Sequence, residues 1–265
     1  MSSNTWTLRA VSSEARDWRQ SVWRIVEAQH VASTMKIVDN AAEQDLLESL
    51  LESSKPTLPD ETKGLSYLLA TPFRYSPRRP GSRFRSIADP GVFYGSQSVR
   101  TACAELGYWR WKFLNDAVDL DKIEPVAHTA FRADVHTTAV DLRDAPFDRD
   151  TRSWMHLTDY SATQAFARIA REAEIGAIVY QSVRDPNANW CAALLTPRAF
   201  SSKKPSPSTQ TWWLAVQPDQ VVWRRNHEVT VFQMKNFKAP TRPASATKKR
   251  ARSPGKQSPR QKAEK

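Results

Sequence analysis

The sequence predicts a mixed α+β fold in which short strands are interleaved with helices, and three observations carry that expectation. Hydrophobic residues make up 40% of the 265 residues and aromatics 10%, with ten Trp among them, so a sizeable core can be buried. Short runs rich in Val, Thr and aromatic residues recur between segments whose apolar residues repeat at helical spacing. The two kinds of segment do not alternate regularly enough for a doubly wound sheet.

In chain order, residues 12–30 place Trp18, Val22 or Trp23, Ile25 and Val26 on one apolar stripe with charges opposite, which predicts a helix. Asn40 followed by Glu43 has capping-box spacing and opens a second helix through Leu46, Leu47, Leu50 and Leu51, until SSKPTLP breaks it. Apolar residues 65–75 lead into a loop rich in Pro, Gly and Arg. Residues 92–95 read as a short strand, and Ser98 caps a helix that runs to about Leu114 and carries Glu105. Strands are expected at 125–133 and 137–142. Ser161 and Gln164 have capping-box spacing for a helix to about Glu174, ended by Gly176. A strand at 177–183, a turn at 185–189 and a return strand at 190–195 follow, with late strands at 211–216, 220–225 and 228–233.

Charge divides the chain. The formal net charge is +11, of which residues 238–265 carry +9, leaving about +2 for the rest. Residues 1–237 are therefore expected to be one folded domain, with a helical N-terminal segment. Residues 238–265, rich in Pro, Ser, Lys and Arg, are expected to be a disordered basic tail. Two cysteines, Cys103 and Cys191, without Cys-x-x-Cys spacing, exclude a disulfide framework and a zinc site, so no metal is expected. With no apolar signal core and no apolar run of ~18 residues, the expectation is a cytoplasmic protein that does not enter a membrane. No Gly-rich phosphate loop, HExxH or GxSxG motif is present, and the five His are scattered as surface or core residues would be.

Three features carry candidate chemistry. Arg74, Arg78, Arg79, Arg83 and Arg85 crowd one loop, where a guanidinium fork matches phosphate geometry but a solvated basic loop looks the same. Tyr94 ends a strand and could offer a ring face to a planar heterocycle, and Glu105 lies among apolar neighbours where a carboxylate turned inward would need a partner. An ordinary exposed glutamate fits the same periodicity. Ser182, where a strand meets a turn, is placed to touch a ligand and is equally a turn residue.

Four blocks then stand in order: Gly81-Ser82-Arg83-Phe84-Arg85, Phe93-Tyr94-Gly95-Ser96, Ala102-Cys103-Ala104-Glu105 and Tyr180-Gln181-Ser182-Val183-Arg184-Asp185. Together they resemble the RES domain family, named for its Arg, Glu and Ser, over roughly residues 20–233. The resemblance implies a fold related to ADP-ribosyltransferase toxins. It implies NAD as substrate, with no separate cofactor, degraded at the nicotinamide–ribose bond by water (a glycohydrolase) or inorganic phosphate (a phosphorylase). It also implies the toxin of a bacterial toxin–antitoxin pair, a helix-turn-helix antitoxin covering the active site, and a homodimer or antitoxin complex. Carried onto this chain, it makes Glu105, Arg83 and Ser182 catalytic and Tyr94, Arg85 and Arg184 ligand-binding. Phe84-Arg85 stand where many relatives carry Trp-Asn, which makes Arg85 a rival to Arg83; the preceding Gly81-Ser82 favours Arg83. Two alternatives differ in class: ADP-ribosyl transfer to a protein, and nucleic-acid binding through the tail, whose KKRAR run suits phosphate contacts.

Overall fold

The computed structural model describes residues 6–28, 38, 40–75 and 81–237. His30, Arg78, Arg79 and the basic tail lie outside them. The fold is mixed α+β, and eight strands form one sheet in the order β1-β2-β5-β4-β3-β6-β7-β8. A short helix α1 (Leu8–Ser13), capped by Thr7, leads into β1 (Arg16–Glu27).

The helix expected over residues 12–30 is thus corrected: residues 12–13 end α1, and residues 16–27 form a strand. Trp18, Val22 and Val26 are four residues apart, a spacing that fits both a helical stripe and one face of a strand. Their neighbours decide it. Val22 enters one core cluster, with Trp18 and Val26 packed on it, whereas Ile25, with Trp23, joins another on the opposite face. β1 pairs in register with β3 (Ile123–Asp141) from Arg16↔Ala139 to Glu27↔His128. This long-range ladder overrides the local preference.

β3 is one continuous strand where two were expected. Arg132, Asp134 and His136 interrupt the apolar run, but they alternate with buried Phe131, Ala133 and Val135 and face outward. Ser21 donates to Asp134 at 2.5 Å, and His136 meets Asp17 at 2.7 Å.

β2 (Phe93–Ser96), β4 (Ala177–Gln181) and β5 (Trp190–Leu194) complete a ring, because β1 pairs with both β2 and β3. Val22, Phe93, Phe131, Val179 and Leu194 from the five ring strands share one core cluster, joined by Leu69 and Phe73 of α3 (Tyr67–Arg74). The ring closes weakly: β1 and β2 share one register pair, Trp23↔Ser96. Gly95 lies at this seam, and a Cβ there would come within 2.6 Å of Val22.

From β3 the sheet continues through β6 (Gln210–Val216), β7 (Gln220–Arg225) and β8 (Glu228–Gln233), as expected. Helix α4 (Val99–Asp116) packs on these strands, where Trp223 donates its indole N–H to Cys103 O at 3.1 Å. Ser98 caps it by accepting from Thr101 N. Helix α2 (Ala41–Ser53) is capped by Asn40 as its spacing predicts. A short α5 (Thr151–Trp154) and α6 (Ser161–Glu172) pack against the outer side of β4 and β5. The capping box expected at Ser161 does not form. Tyr160 occupies the cap position, Asp159 accepts from Ser161 N at 2.9 Å, and Gln164 turns away to donate to Ser82 O. A bond to the neighbouring loop has displaced the local one.

Candidate active site

A cleft of about 230 Å³ opens at the β1–β2 seam, between α4 and the loop before β2. Glu105, Arg83, Tyr94 and Arg184 line it, and Ser182 lies directly behind Glu105. Arg85 does not line it.

Glu105 projects from α4 toward the end of β4. Ser182 Oγ donates to Glu105 Oε1 at 2.6 Å, and the Cys191 thiol approaches the same oxygen at 3.9 Å. Among the described residues none donates to Oε2. Ser182 is 2% exposed and also accepts from Arg184 N and Asp185 N at 3.2 and 3.0 Å. A hydroxyl has one proton, and Ser182 commits it to Glu105, so it serves as a clamp on the carboxylate. Asp185 anchors the same turn to the start of α4, accepting from Thr101 at 2.8 Å and Asn189 at 3.0 Å. One turn therefore fixes both the helix that carries Glu105 and the hydroxyl that orients it.

Arg83 and Arg85, two residues apart, go separate ways. Arg83 donates through Nη1 to Trp154 O at 2.7 Å and His156 O at 3.1 Å, and its guanidinium lies 4.8 Å from the Tyr160 ring centre. Arg85 donates to Asp89 O at 3.0 Å and Tyr75 O at 2.6 Å, bracing its own loop, and burial lowers its pKa. Gly81 makes the turn possible: its φ is +98°, and a Cβ would collide with Arg85 O.

The Tyr94 hydroxyl meets Ser82 Oγ at 2.8 Å and accepts from Phe84 N at 3.0 Å. It fastens the loop on either side of Arg83. Burial pushes the Tyr94 phenol and the Cys191 thiol up, so both stay neutral at neutral pH. Arg184, 2% exposed, donates to Leu157 O at 2.5 Å and stacks 3.4 Å above the Tyr108 ring, while its buried Nη1 has no hydrogen-bond partner among the described residues.

Sequence reasoning missed Arg24, Trp109, Tyr160 and Tyr180, which also line the cleft. Arg24 spans the weak seam. It donates to Tyr94 O at 2.8 Å, lies 4.8 Å from the Phe93 ring centre, and burial lowers its pKa to about 10. An arginine inside a presumed helix carried no signal. Read as a strand, residues 16–27 would have shown a cation held between apolar neighbours on the same face. His128 and His156 have structural partners, Val126 O at 2.9 Å and Asp159 N at 2.8 Å. Among the described residues no group of acids, His or Cys could hold a metal, and no helix is long and apolar enough to cross a membrane.

The fold and cleft define a mixed α+β protein whose sheet seam presents one carboxylate to several guanidinium groups. A family model described as the RES domain matches residues 58–217, and the chain belongs to the RES domain family. Among solved structures the chain is similar to the M. tuberculosis MbcT–MbcA toxin–antitoxin complex. Identity is 10% and the TM-score 0.44, over 87% of this chain and 93% of that one. No curated protein matches the chain.

Proposed function

We propose that this protein degrades NAD by breaking the nicotinamide–ribose bond, and that it is the toxin of a toxin–antitoxin pair. The observation that carries the reading is Glu105 clamped by Ser182 in a cleft that also holds Arg24, Arg83 and Arg184. The substrate has matching charges, a cationic nicotinamide ring at one end and an anionic pyrophosphate in the middle. When the bond breaks, its electron pair stays on the ring nitrogen and neutral nicotinamide leaves. Positive charge moves to the ribose as an oxocarbenium ion. Oε2 of Glu105 is the group that would face it, as carboxylates do in glycoside cleavage. Arg83 and Arg184 would meet the phosphate oxygens, and Tyr94 would hold the Arg83 loop. A water or phosphate oxygen then bonds the ribose carbon. Water loses a proton to solvent and yields ADP-ribose; phosphate yields the ADP-ribose phosphate ester.

Arg85 is a loop brace in this reading, and turnover belongs to residues 1–237. A helix-turn-helix antitoxin over the cleft would keep the enzyme silent. The test is purified protein with NAD, with and without inorganic phosphate, following nicotinamide release and the second product. Absence of turnover in active, antitoxin-free protein overturns the reading, and stable label on protein from labelled NAD would assign ADP-ribosyl transfer instead. Glu105→Gln should abolish release while the chain still unfolds as one cooperative unit, its melting temperature lowered no more than the loss of one charged hydrogen bond allows.

A further inference from the structure

One face of α4 looks into the cleft. Ala102, Glu105, Leu106 and Trp109 line it at the three- and four-residue spacing of a single helix face. Trp109 stands four residues beyond Glu105, which sets their Cβ atoms about 5–6 Å apart. The other aromatic rings of the cleft are already engaged. Tyr180 is 6% exposed and packs 4.8 Å from the Phe84 ring, and Tyr94 and Trp23 pack against core clusters. Tyr160 is 8% exposed under the Arg83 guanidinium. Trp109 belongs to no core cluster and is 43% exposed. It meets the Tyr108 ring in a T-shaped contact at 5.4 Å, and Arg184 covers Tyr108. The three guanidinium groups of the cleft thus lie over Phe93, Tyr160 and Tyr108, and among the described residues none lies over Trp109.

We propose, on the basis of NAD cleavage at Glu105, that Trp109 is the surface on which the cationic nicotinamide ring stacks, and that it recognises the positive charge of that ring. Position and charge both select this group. The ring bonded directly to the ribose carbon that Glu105 faces is nicotinamide, whereas adenine is two sugars and a pyrophosphate away, further than one helical turn. Arg24, Arg83 and Arg184 attract the phosphates and repel a pyridinium, so the cationic ring needs a face without a cation. An indole is the aromatic side chain that attracts a cation best. The attraction belongs to the bound substrate. As the bond breaks, the positive charge moves from the ring to the ribose, and neutral nicotinamide is held less tightly than the cation. Trp109 therefore acts on KM rather than on kcat, and favours release of the product.

Two small probes of nearly the same shape separate charge from stacking: 1-methylnicotinamide, a cation without a ribose to cleave, and neutral nicotinamide. In NMR titrations of the full chain, the wild type should bind the cation more tightly. Trp109→Ala should weaken the cation about three- to thirtyfold and nicotinamide less, and Trp109→Phe should lose less than Trp109→Ala. With NAD as substrate, Trp109→Ala should raise KM by a similar factor and leave kcat within about twofold. A merely structural role would weaken both probes equally and lower kcat together with the melting temperature. Failure of the wild type to bind 1-methylnicotinamide overturns the proposal, as do equal losses for the two probes, an unchanged KM, or a loss confined to kcat. The probes need no turnover, so the two readings fail separately. A chain that leaves NAD intact yet binds the cation through Trp109 overturns NAD cleavage and keeps the cation site; a chain that cleaves NAD with Trp109→Ala indistinguishable from wild type overturns the role of Trp109 alone.

Discussion

Replacing Ser182 with Ala separates a clamp on Glu105 from a mere turn residue. The substitution removes the 2.6 Å donor to Glu105 Oε1 and the shared acceptor of the Arg184 and Asp185 amides. At 2% exposure, water does not reach the position to replace either. A hydrogen bond to a charged group contributes about 1.5–3 kcal/mol, and an orphaned buried amide costs about 1–3 kcal/mol, part of which local relaxation recovers. The net loss of stability should be about 2–4 kcal/mol. If most of the clamp's energy is expressed in the transition state, kcat should fall about 10–100-fold, at about 1.4 kcal/mol per factor of ten. The effect belongs in kcat, because Ser182 holds the carboxylate rather than the substrate. Nicotinamide release measured across NAD concentration gives kcat and KM, and urea unfolding gives the stability. A variant that loses the stated stability but keeps kcat within about twofold refutes the clamp. In a Glu105→Gln background the stability cost of Ser182→Ala should shrink, since the charged acceptor is gone.

The other predictions concern the arginines, the tyrosine and pH. Arg83→Lys should raise KM for NAD about tenfold or more, because a point charge replaces a fork, whereas Arg85→Lys should cost about 1–2 kcal/mol of stability through lost carbonyl bonds and move KM less; the reverse order would exchange the two assignments. Tyr94→Phe strips a partner from Phe84 N and Ser82 and should destabilise by about 1–3 kcal/mol, seen as a lower melting temperature. Burial raises the pKa of Cys103, Cys191, Tyr94 and Tyr180 in the folded state. Their contribution is complete below the unfolded thiol value of about 8.5 and is lost as pH climbs, because only the unfolded chain can then ionise. Urea unfolding from neutral pH upward should show stability falling above about pH 8.5, less steeply in Cys103→Ala; a flat profile to about pH 10 would contradict this assignment.

The legible parts of the fold were those whose signal is local. Asn40 and Ser98 both cap the helices their spacing predicts, and the hairpin β4–β5 follows from an apolar run, a polar turn and a second apolar run. The misread parts depend on distant partners. β1 is made a strand by twelve residues of β3 more than a hundred positions away, and nothing within residues 12–30 records that ladder. Asp134 and His136 look like a break until Ser21 and Asp17 of the same neighbour are seen to meet them. Ser161 lost its cap because Gln164 found carbonyls on the Arg83 loop instead. In each case a contact of long sequence separation outweighed a propensity worth a few tenths to one kcal/mol.

The same logic explains why the candidate site was legible as residues but not as an arrangement. Glu105, Ser182, Tyr94 and Arg83 stand in recurring motifs, so their identity could be seen in the chain. Arg24 could not, since its place depends on β1 being a strand and on the ladder to β2 failing after one pair. That failure is itself the device that makes room. A regular β1–β2 ladder would engage Tyr94 O with the neighbouring strand's backbone; here the oxygen accepts from the Arg24 guanidinium, and the seam beside it is where the cleft opens. Restoring the ladder would take away the cleft, and removing Arg24 would leave Tyr94 O without its donor. Arg24→Leu should therefore lower both stability and turnover, whereas Arg24→Lys, which keeps a charge and a donor, should recover stability more than turnover. Equal recovery of both would show that the seam needs only a cation there, not the fork of an arginine.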